Sequence, residues 1–366
     1  MTPRERLIAA ATHQATDFVA YHIEYSAGIK AAMMAALVTE DLDGATGDHL
    51  SRYSTRGKWE EIRPGFVRDD FGVVWDRTAD RDIGVPEPVL TTPDLSRVQW
   101  PTAQSCDRLL GIEAFVERTR AAGRFCCLGL ALSLFERAWA LRGMEALMID
   151  MLDEPSFVDD LLDRIVEHDL SVMRAVAHLP WDGVWIGDDW GQQRGLITGR
   201  ALWRRFILPR ARRMYEFARR QGWIVIIHSC GDIVELLPDL IEAGVQVLNP
   251  FQPEVMDLAA VKREYGRDLA FLGGMSVQRT LPFGTPGEVR SQSRRLLEQI
   301  GAGSGFIFSP SHMLTDDVPV TNVLAMLEVI AAANPATPWF RADQKEATNW
   351  DGVDHETRRT NSASSP

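Results

Sequence analysis

The sequence predicts an α/β fold, a parallel sheet covered by helices that is either closed as an eight-stranded barrel or left open and doubly wound. Two observations carry this. From about residue 106 onward, short apolar runs alternate with long amphipathic segments, the order a parallel sheet needs because each parallel crossover takes a helix. With 366 residues and 45% hydrophobic content, the chain can bury one barrel-sized core or two smaller ones.

The elements follow in order. Thr2-Pro3-Arg4-Glu5 has the pattern of a capped helix start, and Leu7, Ile8, Ala10 and Ala11 continue at helical spacing. The run Phe18-Val19-Ala20-Tyr21 reads as the first strand, followed by an Ala/Met-rich helix over 27–37. Residues 51–105 are rich in Arg, Asp, Pro and Trp, with short strand-like pieces such as Phe71-Gly-Val-Val-Trp75, and read as a hairpin-bearing insertion. Later strands fall at 124–130, 183–186, 223–227, 245–248, 269–272 and 306–308, with helices between them such as 156–177 and 200–220. These make seven strands, one short of a closed barrel; the eighth is sought in the insertion. No G-x-G-x-x-G follows any strand. Residues 1–338 read as a single domain, and the polar segment 339–366 as a disordered tail.

Composition narrows the function. A net charge of -12 without a basic stripe excludes nucleic acid and anionic membrane surfaces as main partners and leaves a small-molecule substrate. No apolar run reaches the length of a membrane span, the start lacks a signal-peptide core, and only four cysteines occur, so a reducing cytoplasm is expected.

In a barrel, chemistry gathers at the C-terminal ends of the strands. Here those ends carry His22 and Glu24, then Ser133 and Glu136, then Asp188, Asp189, Gln192 and Gln193, then His228 and Cys230, then Asn249 and Gln252, then Gln278, and finally His312. His228 and Cys230 are two residues apart at a strand end. An extended backbone puts both on one side, where imidazole and thiolate are the ligands zinc prefers. An isolated H-x-C is more often a core histidine beside a buried thiol, but His312 follows the last strand and supplies a third ligand. Three protein ligands with an open position are the arrangement of a catalytic zinc. Asp188 or Asp189 is a fourth ligand or a base, the alternative for each being a cap on the following helix. Glu136 lies in an apolar setting that would raise its pKa, unless Arg137 or Arg142 pairs with it. Cys126 and Cys127 face opposite ways in a strand and are expected in the core, while Cys106 carries no signal.

Together, Gly187-Asp-Asp-Trp-Gly-Gln-Gln193, Trp203 to Pro209, His228-Ser-Cys-Gly-Asp232, Asn249-Pro-Phe-Gln-Pro253, Gly273-Gly-Met-Ser-Val-Gln278, Ser309-Pro-Ser-His312 and Asp317-Val-Pro-x-x-Asn322 resemble the uroporphyrinogen decarboxylase superfamily. Over residues 3–335 they look most like its branch of zinc-dependent corrinoid:thiol methyltransferases. The resemblance implies a (β/α)8 TIM barrel with an N-terminal helical and hairpin elaboration. It also implies Zn²⁺, a corrinoid carried by a partner protein, and methyl transfer to a thiol; a homodimer is compatible with such barrels. Catalysis would fall to Asp188, Asp189 and Glu136, and substrate binding to His22, Glu24, Gln192, Asn249, Gln252 and Gln278. Decarboxylation or lyase chemistry on a small organic acid or tetrapyrrole is the alternative. True decarboxylases carry an N-terminal R-Q-A-G-R motif, where this chain has Ala9-Ala-Ala-Thr-His-Gln-Ala-Thr. The methyltransferase branch has a third cysteine where His312 stands. One thiolate and two imidazoles leave zinc at a net charge of about +1, a stronger Lewis acid that makes a bound thiolate a poorer nucleophile, unless a carboxylate restores neutrality. Asp188 is the expected carboxylate.

Overall fold

The computed structural model describes residues 1–57, 59–79, 84–103 and 107–334; Cys106 and the segment 339–366 lie outside them. Eight parallel strands form one curled sheet: β1 (Ala20–Tyr21), β2 (Leu50–Ser54), β3 (Phe125–Leu130), β4 (Gly183–Gly187), β5 (Ile224–His228), β6 (Val247–Phe251), β7 (Ala270–Met275) and β8 (Phe306–Pro310). Their spatial order is β1, β8, β7, β6, β5, β4, β3, β2. The two ends of that order meet where the His49 N–H donates to the Tyr21 carbonyl at 3.4 Å. This succession is TIM-barrel-like, whereas a doubly wound sheet reverses its order at an internal switch point.

The eighth strand is β2, which opens the 51–105 segment and pairs with β3 from Leu50↔Phe125 to Ser54↔Gly129. Beyond it, Glu60–Arg63, Phe66–Arg68, Val74–Asp76 and Val85–Glu87 form a four-stranded antiparallel sheet. Phe71 and Gly72 belong to a turn rather than to a strand, because the Asp69 carboxylate accepts the Phe71 and Val73 N–H groups at 3.0 Å each. Asp69 also accepts from Trp75 Nε1 and from the Arg137 guanidinium, 2.5 Å away on the helix Leu134–Arg142, tying this sheet to that helix.

Strand alternation sorts the core into two clusters. Ala20, Leu50, Cys127, Ile226, Val247, Ala270, Leu272 and Ile307 share an inner cluster with Leu7, Ala10 and Ala11 of the first helix, Pro3–Ala11. That helix starts as its sequence predicts, with a Thr2/Glu5 capping box and proline in its first turn. Residues of opposite parity, among them Cys126, Leu128, Val225, Ile227 and Phe308, pack outward against the helices. Cys126 and Cys127 accordingly fall in different clusters, both buried and unbridged. No helix among the described residues is long and apolar enough to cross a membrane.

Candidate metal centre

The inner parity that packs the lower barrel continues upward as polar residues. His22 lies two positions beyond Ala20, Arg52 beyond Leu50, His228 beyond Ile226, Asn249 beyond Val247 and Ser309 beyond Ile307, so each shares the inward face of its strand. All five line a cavity of about 260 Å³, together with Glu24, Arg56, Trp185, Glu136, Asp189 and His312.

His228, Cys230 and His312 converge there, their donor atoms all within 4.8 Å of one another. Cys230 Sγ is 3.5 Å from His228 Nε2. A tetrahedral zinc with bonds of about 2.3 Å to sulfur and 2.0 Å to nitrogen spaces two such donors about 3.5 Å apart, so this edge already fits the ion. The tautomer fits as well. Asn249 donates its NH2 to the Leu272 carbonyl at 3.1 Å, which turns its Oδ1 to His228 Nδ1 at 2.5 Å. An amide oxygen only accepts, so Nδ1 carries the proton and Nε2 presents its lone pair to the cluster. Burial holds the His228 pKa below its ordinary value, favouring the neutral ring a metal needs. Burial, with Asp189 alongside, pushes the Cys230 thiol well up, so it needs a cation nearby to ionise.

The two adjacent aspartates play different parts. Asp188, expected as the balancing carboxylate, is turned away and fully engaged: it accepts the backbone N–H of Phe135 at 3.1 Å, that of Glu136 at 2.8 Å and Trp190 Nε1 at 2.6 Å. Its carboxylate meets the first turn of the helix that starts at Leu134, which precedes it in the chain, whereas the alternative to catalysis expected from sequence is a cap on the helix that follows. Burial nonetheless pushes its carboxyl up to about 7 against those hydrogen bonds. Asp189 lines the cavity, accepts the Cys230 N–H at 2.8 Å and lies 3.8 Å from His228 Nε2. It is the carboxylate beside the cluster.

Glu136 lines the cavity too, and the arginines that might have paired with it are occupied, Arg137 by Asp69 and Arg142 by Asp150. Burial, with Asp189 and Asp188 nearby, raises its carboxyl well above the ordinary value. His22 is held by Asp48, with Nδ1 at 3.0 Å, and both are buried. Burial lowers the His22 pKa, but Asp48 and, less strongly, Glu24 raise it, so the net shift is upward. His22 Nε2 has no hydrogen-bond partner. Glu24 pairs with Arg52, which outweighs the effect of burial and keeps its carboxyl low. The Arg52 guanidinium sits over Trp185, 4.7 Å from the ring centroid, and His228 stacks 6.4 Å from that ring.

Gln192, Gln252 and Gln278 do not join this cavity. They line a second one of about 230 Å³, bordered by Cys230 and His312. Gln252 Oε1 accepts the Gly231 N–H at 3.1 Å and fixes the turn after Cys230. Arg52, Arg56 and Trp185 are among the cavity residues that sequence reasoning missed. The alternation Leu50-Ser-Arg52, continuing an inner-core leucine with an arginine, is the signal that marks one of them.

Fold and cluster together define a TIM-barrel-like α/β protein whose strand ends bring together three residues that could hold a metal ion. Residues 67–333 match the family model for uroporphyrinogen decarboxylase (URO-D), and the chain belongs to that family. The uroporphyrinogen decarboxylase of Methylococcus capsulatus is 26% identical over 51% of this chain and 51% of its own length. The methylated-thiol–coenzyme M methyltransferase of Methanosarcina mazei is 25% identical over 62% of this chain and 59% of its own. The chain therefore spans about half the length of the decarboxylases it matches. A solved methyltransferase structure from Methanosarcina mazei superposes with a TM-score of 0.70 at 15% identity, covering 92% of this chain and 99% of that one, which establishes the shared fold.

Proposed function

We propose that this chain is a methyltransferase that holds zinc on His228, Cys230 and His312 and moves a methyl group between a corrinoid-type or other donor and a thiol-type acceptor. The observation that carries the reading is the convergence of those three donors, with His228 fixed by Asn249 in the tautomer a metal requires. Zinc bound there would lower the pKa of an acceptor thiol, which is the chemistry methyl transfer to sulfur needs. Asp189, beside Cys230, supplies the negative charge that a relative with two cysteines would take from its second thiolate. Glu136, whose carboxyl burial holds well above its ordinary value, faces the same cavity, and Arg52, braced by Glu24 over Trp185, would orient an acceptor's polar end. The corrinoid of such a reaction would arrive on a partner protein.

Decarboxylation of a tetrapyrrole fits the cavity less well. At about 260 Å³ it falls below the roughly 300–1,000 Å³ of pockets that enclose drug-sized ligands, and a four-ring porphyrinogen is larger still. The test is incubation of zinc-loaded protein with methylcobalamin and a thiol while following the methyl-corrinoid absorbance. Protein-dependent loss of that spectrum, abolished by Cys230→Ala, is expected. An unchanged spectrum across a panel of thiols would sink the methyl-transfer reading.

A further inference from the structure

The cluster stands between two cavities of contrasting chemistry. His228 lines the cavity of about 260 Å³, Cys230 lines the one of about 230 Å³, and His312 and Met313 border both. The first is ionic, with Glu24, Arg52, Arg56, Glu136 and Asp189. The second is walled by Gln192, Gln193, Gln252, Gln278, Ser311 and Thr315, and among the described residues no Asp, Glu, Lys or Arg lines it.

Two features mark the second cavity as a built site. Ser311 is 1% exposed, and its Oγ has no hydrogen-bond partner, although it lines the space. Buried hydroxyls are almost always paired, so one left unpaired at a cavity wall points to a ligand that completes it. The wall is also rigid. Gly231 has φ 85°, and a Cβ there would lie 2.3 Å from the Gly191 carbonyl carbon and 2.4 Å from the Gln192 nitrogen, so the two backbones touch. The Asp232 N–H donates to the Gln192 carbonyl at 2.9 Å across the same contact. With Gln252 Oε1 taken by Gly231, the group that amide still offers is its NH2.

We infer that this second cavity binds an uncharged ligand group that both donates and accepts hydrogen bonds, a carboxamide, on the opposite side of the cluster from the ionic cavity. Glutamine amides and a serine hydroxyl match a carboxamide donor for acceptor, whereas a carboxylate would find no lysine or arginine among the lining residues to pair with. The ligand's role as the uncharged partner in methyl transfer rests on the function proposed above; its binding does not.

Propionamide and propionate, nearly identical in shape and different in charge, test this. Crystals of the purified protein are soaked with each, and affinities are measured by calorimetric titration. Propionamide is expected in the glutamine-lined cavity, and propionate in the ionic one. Ser311→Val should weaken propionamide roughly tenfold and leave propionate unchanged. Gln278→Glu, at an exposed position that does not threaten folding, should weaken propionamide as well. Propionamide found in the ionic cavity, propionamide bound nowhere, or both variants binding it as wild type does would overturn the inference. The methylcobalamin assay can fail while the two probes still segregate, so the two failures are distinguishable.

Discussion

Replacing Asn249 by alanine removes the group that sets the protonation of His228 without touching a metal donor. In the native protein the Asn249 NH2 is committed to the Leu272 carbonyl and its oxygen to His228 Nδ1, at 3.1 Å and 2.5 Å. In the variant the proton can move to Nε2 and the ring can turn, and both changes must be reversed before Nε2 can ligate. Loss of such an orienting partner costs roughly 10–100-fold in metal affinity, or about 1.4–2.7 kcal/mol. The same change strips the buried Leu272 carbonyl of its donor, for a further stability loss of about 1–3 kcal/mol. Competition against a chromophoric zinc chelator reads the first effect, and urea denaturation of metal-free protein reads the second. Asn249→Asp separates them. It keeps an acceptor for Nδ1–H but sets a carboxylate oxygen against the Leu272 carbonyl, so zinc affinity should stay close to wild type while stability falls. Alanine-variant affinity within about twofold of wild type would refute the orienting role, as would equal losses in the two variants.

Three further outcomes are expected. Asp188→Asn keeps one acceptor oxygen for three N–H donors and should lower stability by about 1–3 kcal/mol with zinc content unchanged, whereas Asp189→Asn should do the reverse; denaturation and metal analysis compare them. Arg137→Met leaves the Asp69 carboxylate buried and uncompensated, 1% exposed, and should cost about 3–5 kcal/mol in urea unfolding; a loss under about 1 kcal/mol would contradict the anchoring of the antiparallel sheet. The His22 pKa is raised from 6.5 and that of Asp48 lowered from 3.8. The histidine's contribution is present below 6.5 and lost as pH rises through its folded value, and the aspartate's is present above 3.8 and lost as pH falls through its own. His22→Gln should therefore destabilise most between those two pH values and least in alkali, and a pH-independent difference in unfolding free energy would count against the charged pair.

Much of the centre was legible because its chemistry is written in residue type. His228, Cys230 and His312 are the ligand types of zinc, placed after strands that announce themselves as apolar runs. Strand β2 is expected in the insertion but cannot be placed there from sequence, because Leu50-Ser-Arg-Tyr-Ser54 is not such a run: its inward positions rise from the packed interior into the cavity, so they change from leucine to arginine. Its register therefore became visible only through its pairing with β3. The Asp188/Asp189 pair shows a second limit. Adjacent carboxylates are equivalent in sequence, and only the start of the helix at Leu134 decides that Asp188 caps it while Asp189 faces Cys230. The glutamines follow strands in the sequence, but sequence order does not reveal that a wall of Cys230 and His312 divides the space between two cavities.

Zinc content of the purified protein, measured against His228→Ala, Cys230→Ala and His312→Ala with folding verified by circular dichroism, tests the centre most directly. A three-ligand site predicts about one zinc per wild-type chain and a marked loss in each variant. Equal zinc in all four folded proteins, whether near zero or stoichiometric, would contradict it.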